Sequence, residues 1–467
     1  MGLVLSLLQP AHSHLNRKRL VKVTEIHGPI KPLKRLAEML AEDDLPQDES
    51  LNYVLNNWHD MEFFRQLVID PKRRTKSVVQ DEYFISVGHA YQIALGAASW
   101  LLASTVDQTL ERLPDPRPLE EVFARLKAER REGFYKGSPV RVAPLGALEI
   151  LEGQARFSQI QYLYGGSGGT LTWLDFESCA LLDSGYIDAF ICFLSILEIE
   201  EWPATPDHSL VGLFLVICDL AMNPADGFLT ELKAPASLIM STDPGWRFVR
   251  FCEAVKSDSS LQSAIESYTS EEYWDVTDRL STALATPSPR LIAETVLEWS
   301  TSHEGWGSLL KEDATFEFNR TNLPIRIIIA KFLSFQRDKL KTPEFFCWPG
   351  ICTTSHRGPI DLDRAMQLFD EHAALFVDKP DGDVYPRILP CRDEQIVHEV
   401  FNDFYQWVAS YELTRQWITE DGEFEMDFLW LTSKFSRDEI KVWAANAFKV
   451  TYGISPDTFR ILAPSGN

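Results

Sequence analysis

Residues able to do chemistry concentrate on one expected helix. After Ser50 the chain reads LNYVLNNWHDMEFFRQLVID, and its centre, HDMEFFRQ, holds His59, Asp60 and Glu62. His59 and Glu62 are three residues apart, so a helix places an imidazole and a carboxylate on one face. A histidine with carboxylates suits zinc, and also iron or manganese. A second candidate is GGSGG, residues 165–169, which satisfies the GxSxG pattern of a serine nucleophile elbow. That elbow needs a strand before it and a helix after it. Here a helical run precedes Ser167 and the strand-like TLTWLDF follows, so the context is inverted.

The segment HDMEF, residues 59–63, resembles the HExxH motif of zincin metallopeptidases, in the HExxHFxQ version of gluzincin-like proteins. The resemblance puts His59 at the first ligand, Asp60 at the general base, and Phe64 and Gln66 at the trailing Phe and Gln. Phe63 stands at the second-ligand position, and phenylalanine cannot bind a metal. Farther on, LEGQA at 151–155 resembles the later gluzincin helix, which makes Glu152 the third ligand. The resemblance thus implies a zinc peptidase whose motif is degenerate.

A rebuilt site would use Asp60 and Glu62 as its catalytic carboxylates and His59, Glu152 and His89 as its ligands, the last from a helix expected between Val78 and Ser104. Zinc is the implied ion, with iron or manganese as alternatives. A separate zinc set could be assembled from Cys347, Cys352, His356, Cys391 and His398, although its CxxxxC spacing is wide.

The elements that must carry these groups are mostly helices. From Ser50 onward apolar residues recur at spacings of three and four. Thr269 with Glu272 and Ser436 with Glu439 form capping boxes, and Ser288 before Pro289 is a further helix start. After Ser436, Ile440, Trp443, Ala444, Ala447 and Phe448 make one apolar stripe that Gly453 ends. Tyr186–Leu197 and Ser209–Met222 are apolar nearly all round and belong at the centre of a bundle. Leu20–Ile26, Thr170–Phe176 and Thr315–Phe318 read as short strands. The expected fold is mainly α: a large multi-helix bundle core with minor short strands and a C-terminal helical unit. Its expected divisions are an N-terminal arm and acidic linker (1–50), a zincin-like helical core (51–240), a helical linking region (241–342) and a C-terminal helical domain (343–467).

The 467 residues carry 45 Lys and Arg against 68 Asp and Glu, a net charge of −23. Such a charge repels phosphate backbones and anionic lipid, so neither nucleic acid nor membrane is an expected partner. Seven cysteines, several inside apolar runs, suit a reducing compartment, and a cytoplasmic location is expected. The functional expectation is a metallopeptidase-like helical protein that no longer cleaves peptides and binds a protein partner or a small ligand. The alternatives are a metal-dependent hydrolase with a rebuilt His/Glu site and a helical di-metal oxygenase.

Overall fold

Side-chain caps written into the sequence set many of the helix starts. The computed structural model describes residues 2–45, 48–227, 229–354, 361–378, 380, 384–389, 392–431 and 435–463. In chain order the first helices are α1 (Gly2–Leu15), α2 (Arg17–His27), α3 (Leu33–Glu42), α4 (Glu49–Ile69), α5 (Pro71–Gln80), α6 (Val87–Val106), α7 (Arg117–Ala128) and α8 (Ala147–Gly166). There follow α9 (Trp173–Ser178), α10 (Asp188–Ile196), α11 (Ser209–Met222), α12 (Leu238–Thr242), α13 (Pro244–Ser257), α14 (Ser270–Ala283), α15 (Pro289–Ser302) and α16 (Glu304–Thr315). The last are α17 (Leu323–Lys341), α18 (Pro343–Cys347), α19 (Pro349–Cys352), α20 (Leu362–His372), α21 (Glu394–Thr419) and α22 (Arg437–Tyr452). Asp48, Asp70, Ser86, Asp243 and Ser288 each accept a backbone N–H from the first turn of α4, α5, α6, α13 and α15. The boxes at Thr269 and Ser436 open α14 and α22 as expected.

The fold is mainly α, as expected. At its centre α11 is buried from Leu210 through Met222, which explains why that helix has no polar face. It packs on α8 and α13, and α17 lies against α15 and α16. Among the described residues, strands are confined to two small pairs. β1 (Ile30–Lys31) runs parallel to β4 (Arg460–Ile461), and β2 (Phe376–Asp378) runs antiparallel to β3 (Val384–Pro386).

Several expectations are corrected. Residues 2–42, read as an arm, contain three helices, and α1 buries Val4, Leu7, Leu8 and Ala11 against α6, α17 and α21. Leu20–Ile26 is helical within α2, because Leu20, Val23 and Thr24 at i, i+3 and i+4 turn one face inward. Thr172 caps α9 through a box with Asp175, so Thr170–Phe176 enters a helix rather than a strand. Thr315 ends α16 and Phe316 takes a left-handed conformation, φ 63°. The helix expected from Val78 to Ser104 is broken between Gln80 and Val87, where Ser86 starts a new one.

Among the described residues, buried apolar side chains fall into one large cluster, a second that joins the N- and C-terminal parts, and a small third of Ile160, Tyr164 and Phe176. The second takes Leu20, Ile30, Leu51 and Trp58 from the N-terminal part and Leu413, Trp417, Phe448 and Phe459 from the C-terminal part. It therefore crosses the divisions expected at 50 and 343. Lys31, fully buried, fastens it by donating to the carbonyls of Glu420 (2.8 Å) and Gly422 (2.7 Å).

Candidate functional site

The motif on α4 has other work. His59 lies flat on Tyr83, with ring centroids 4.2 Å apart and planes within 3°. Burial lowers its pKa from the ordinary value, and its Nε2 has no hydrogen-bond partner among the described residues. Phe63 sits in the same aromatic cluster, edge-on to Phe84. Asp60, buried, faces His89 of α6 at 3.2 Å. Glu62 is held by Arg65 one turn on, at 2.7 and 3.0 Å. Glu152 is half-buried on α8. Asp60 and His89 are thus brought together. Among the described residues, however, no three of His59, Asp60, Glu62, His89 and Glu152 converge as metal ligands.

The other sequence candidates also have structural roles. The Ser167 hydroxyl closes α8 by donating to the Tyr164 carbonyl at 2.7 Å. Cys347 is fully buried, and burial pushes its thiol well above the usual range. Burial also raises the Cys352 thiol, to about 12. His398 is exposed on α21 beside Glu394, while His356 and Cys391 lie outside the described residues.

A pocket of about 460 Å³ opens instead along α17, whose sequence is LPIRIIIAKFLSFQRDKLK. Lys331, Phe332, Phe335, Gln336 and Lys339 line it from one helix face, as spacings of three and four require. The segment after α11 and the starts of α15 and the post-α20 loop supply the facing wall, including Leu229, Ile292 and Leu375. Most of the wall is apolar, and a few polar groups converge on it, which is the usual make-up of a small-molecule site.

Lys339, Lys331, Asn223 and His372 are held by partners. Lys339 donates to both oxygens of buried Asp219 at 2.6 and 2.7 Å. The same carboxylate accepts the Tyr273 hydroxyl at 2.6 Å and the Asn223 amide at 2.9 Å. Burial, with the Asp219 charge added, pushes the Tyr273 phenol well above its ordinary value, so it stays a donor. Lys331 pairs with Asp313 at 2.9 Å. His372 reaches Asp338 at 3.0 Å, and Arg337 reaches it at 2.9 Å. Burial alone would raise the Asp338 carboxyl, but the hydrogen bonds from His372 and Arg337 hold it well below the carboxylate range.

Asp338, Glu371 and His372 bring one possible ligand atom each within 4.8 Å of one another, the one such group among the described residues. Arg337 already sits on Asp338 and Arg364 lies 3.7 Å from it, so positive charge fills the position a cation would need. The group acts as a knot of ion pairs that fixes His372 at the pocket rim.

Sequence reading missed this pocket. Its signal was the run of polar residues at 331, 334, 336, 338 and 339 inside an otherwise apolar helix. Such residues are buried only when paired or when facing a ligand. No protein family, curated protein or solved structure matches the chain.

Proposed function

We propose that the protein is a non-peptidase binding protein that holds a small, largely apolar molecule in the α17 pocket. The observation that carries this reading is the 460 Å³ pocket itself, apolar-walled and edged by Lys331, Lys339 and His372, each fixed by a buried carboxylate. Fixed partners make such a site rigid before the ligand arrives, which limits the entropy lost on binding. The motif on α4 supports the same reading from the other side. Its second-ligand position is a buried phenylalanine, and its carboxylates are engaged by His89 and Arg65.

The test is a fluorescence titration with 1-aminoanthracene, a neutral apolar probe. Wild type is expected to give saturable, blue-shifted emission with one site per chain. Ala373→Phe, which fills the pocket without opening a cavity elsewhere, is expected to weaken the probe at least tenfold while leaving the thermal melt in place. Equal affinity in wild type and variant would overturn the reading.

A further inference from the structure

Resting on that reading, we propose that the ligand is a small apolar carboxylate, its body against Phe332 and Phe335 and its head on the Gln336 amide and the Lys339 ammonium.

Charge is the first observation. In a chain with 68 acidic residues against 45 basic ones, no Asp or Glu lines this pocket among the described residues. Its charged or titratable lining groups are Lys331, Lys339 and His372, and the acids that balance them, Asp313, Asp219 and Asp338, are absent from the lining. Each base is therefore held by a carboxylate behind it while its own chain edges the pocket. A cationic ligand would meet like charge with no acid to pair with.

Gln336 is the second observation. Its side chain is only 8% exposed and lines the pocket, yet the described residues give it no hydrogen-bond partner. The amide faces the pocket without a protein partner among the described residues, so a ligand head group would pair with it in place of water. Lys339 lies three residues on, so both groups share one helix face. An ammonium has three N–H donors, and the two contacts to Asp219 leave one over. An ionised carboxylate, with about four acceptor positions, can take the amide N–H and that remaining ammonium N–H together. An alcohol head could satisfy the amide but would bring no charge to the ammonium.

Size is the third. At about 30 Å³ per water-sized group, the pocket holds on the order of fifteen non-hydrogen atoms. A phenyl or short alkyl chain bearing one carboxylate fits that limit.

The experiment is calorimetric titration at pH 7.5 with 4-phenylbutanoate, 4-phenylbutan-1-ol and 4-phenylbutylamine, which share one body and differ in the head. Wild type is expected to bind the carboxylate at least tenfold more tightly than either of the others. Gln336→Leu, of similar volume, should cost the carboxylate about tenfold and the alcohol less. Gln336→Glu should reverse the preference toward the amine, and it keeps the test open if the leucine variant does not fold. Equal binding of acid and alcohol in wild type, or a carboxylate affinity untouched by both variants, would overturn the carboxylate inference and leave the pocket reading standing. Failure of all three compounds would overturn the inference as well. If 1-aminoanthracene also bound equally to wild type and Ala373→Phe, the pocket reading would fall with it.

Discussion

His59 presses its ring on Tyr83 and keeps a buried nitrogen without a partner among the described residues, so the fold favours its neutral form. Burial lowers its folded-state pKa below the ordinary 6.5. A lowered pKa contributes stability that is fully present above 6.5 and is lost as pH falls through the lowered value. Wild type should therefore lose melting temperature on acidification below pH 6.5 more steeply than His59→Phe. Parallel pH profiles for the two proteins would contradict this. The spacing of His59, Asp60 and Glu62 was legible in the sequence, and so was the fact that Phe63 cannot bind a metal. What a motif cannot reveal is the partner across the helix face: Tyr83, His89 and Arg65 decide what these three side chains do. The pocket groups were illegible for a related reason. Asn223, Gln336 and His372 are far apart in the chain and become one site only through packing.

Helices were the most legible elements, since caps are local chemistry. The hydroxyls of Thr269, Ser288 and Ser436 accept first-turn N–H groups where the residue types said they would, and Gly453 ends α22 with φ 77°. Where tertiary contacts supply the cap, the sequence is silent. The carboxyl end of α11 is closed from a distance by Arg247, which donates to the carbonyls of Leu220 (2.6 Å), Ala221 (3.2 Å) and Asn223 (3.1 Å), and to Ser241 (3.1 Å). Burial pulls this guanidinium down to about 9, so it still carries its charge at neutral pH. Replacing it with methionine keeps most of the volume but strands those carbonyls. Arg247→Met should cost about 3 kcal/mol or more by denaturant unfolding, given 1–3 kcal/mol for each buried polar group left unmet. A loss below about 1 kcal/mol would mean that water reaches this helix end. The misread strands fail for the converse reason. Alternating β-branched residues in LVKVTEI satisfy a strand pattern, but Leu20, Val23 and Thr24 also make one helix face, and packing chose the helix.

At the scale of the whole molecule the two chain ends are built into one apolar cluster, with β1 and β4 side by side and Lys31 reaching the loop after α21. Composition shifts along the chain could not show this, because the contacts join residues nearly four hundred positions apart, as Lys31 and Gly422 do. Among the described residues no helix is long and apolar enough to cross a membrane. Beside the large core a half-open pocket runs along α17, walled mostly by apolar side chains. We propose that pocket, rather than the motif on α4, as the binding site, and the position of a bound ligand tests the proposal directly. Crystals grown with 4-(4-bromophenyl)butanoate should show an anomalous bromine peak between Phe332, Phe335 and Ile292, with the carboxylate toward Gln336. A peak beside His59 and Tyr83 instead, or an occupied site that leaves the α17 pocket vacant, would contradict the assignment.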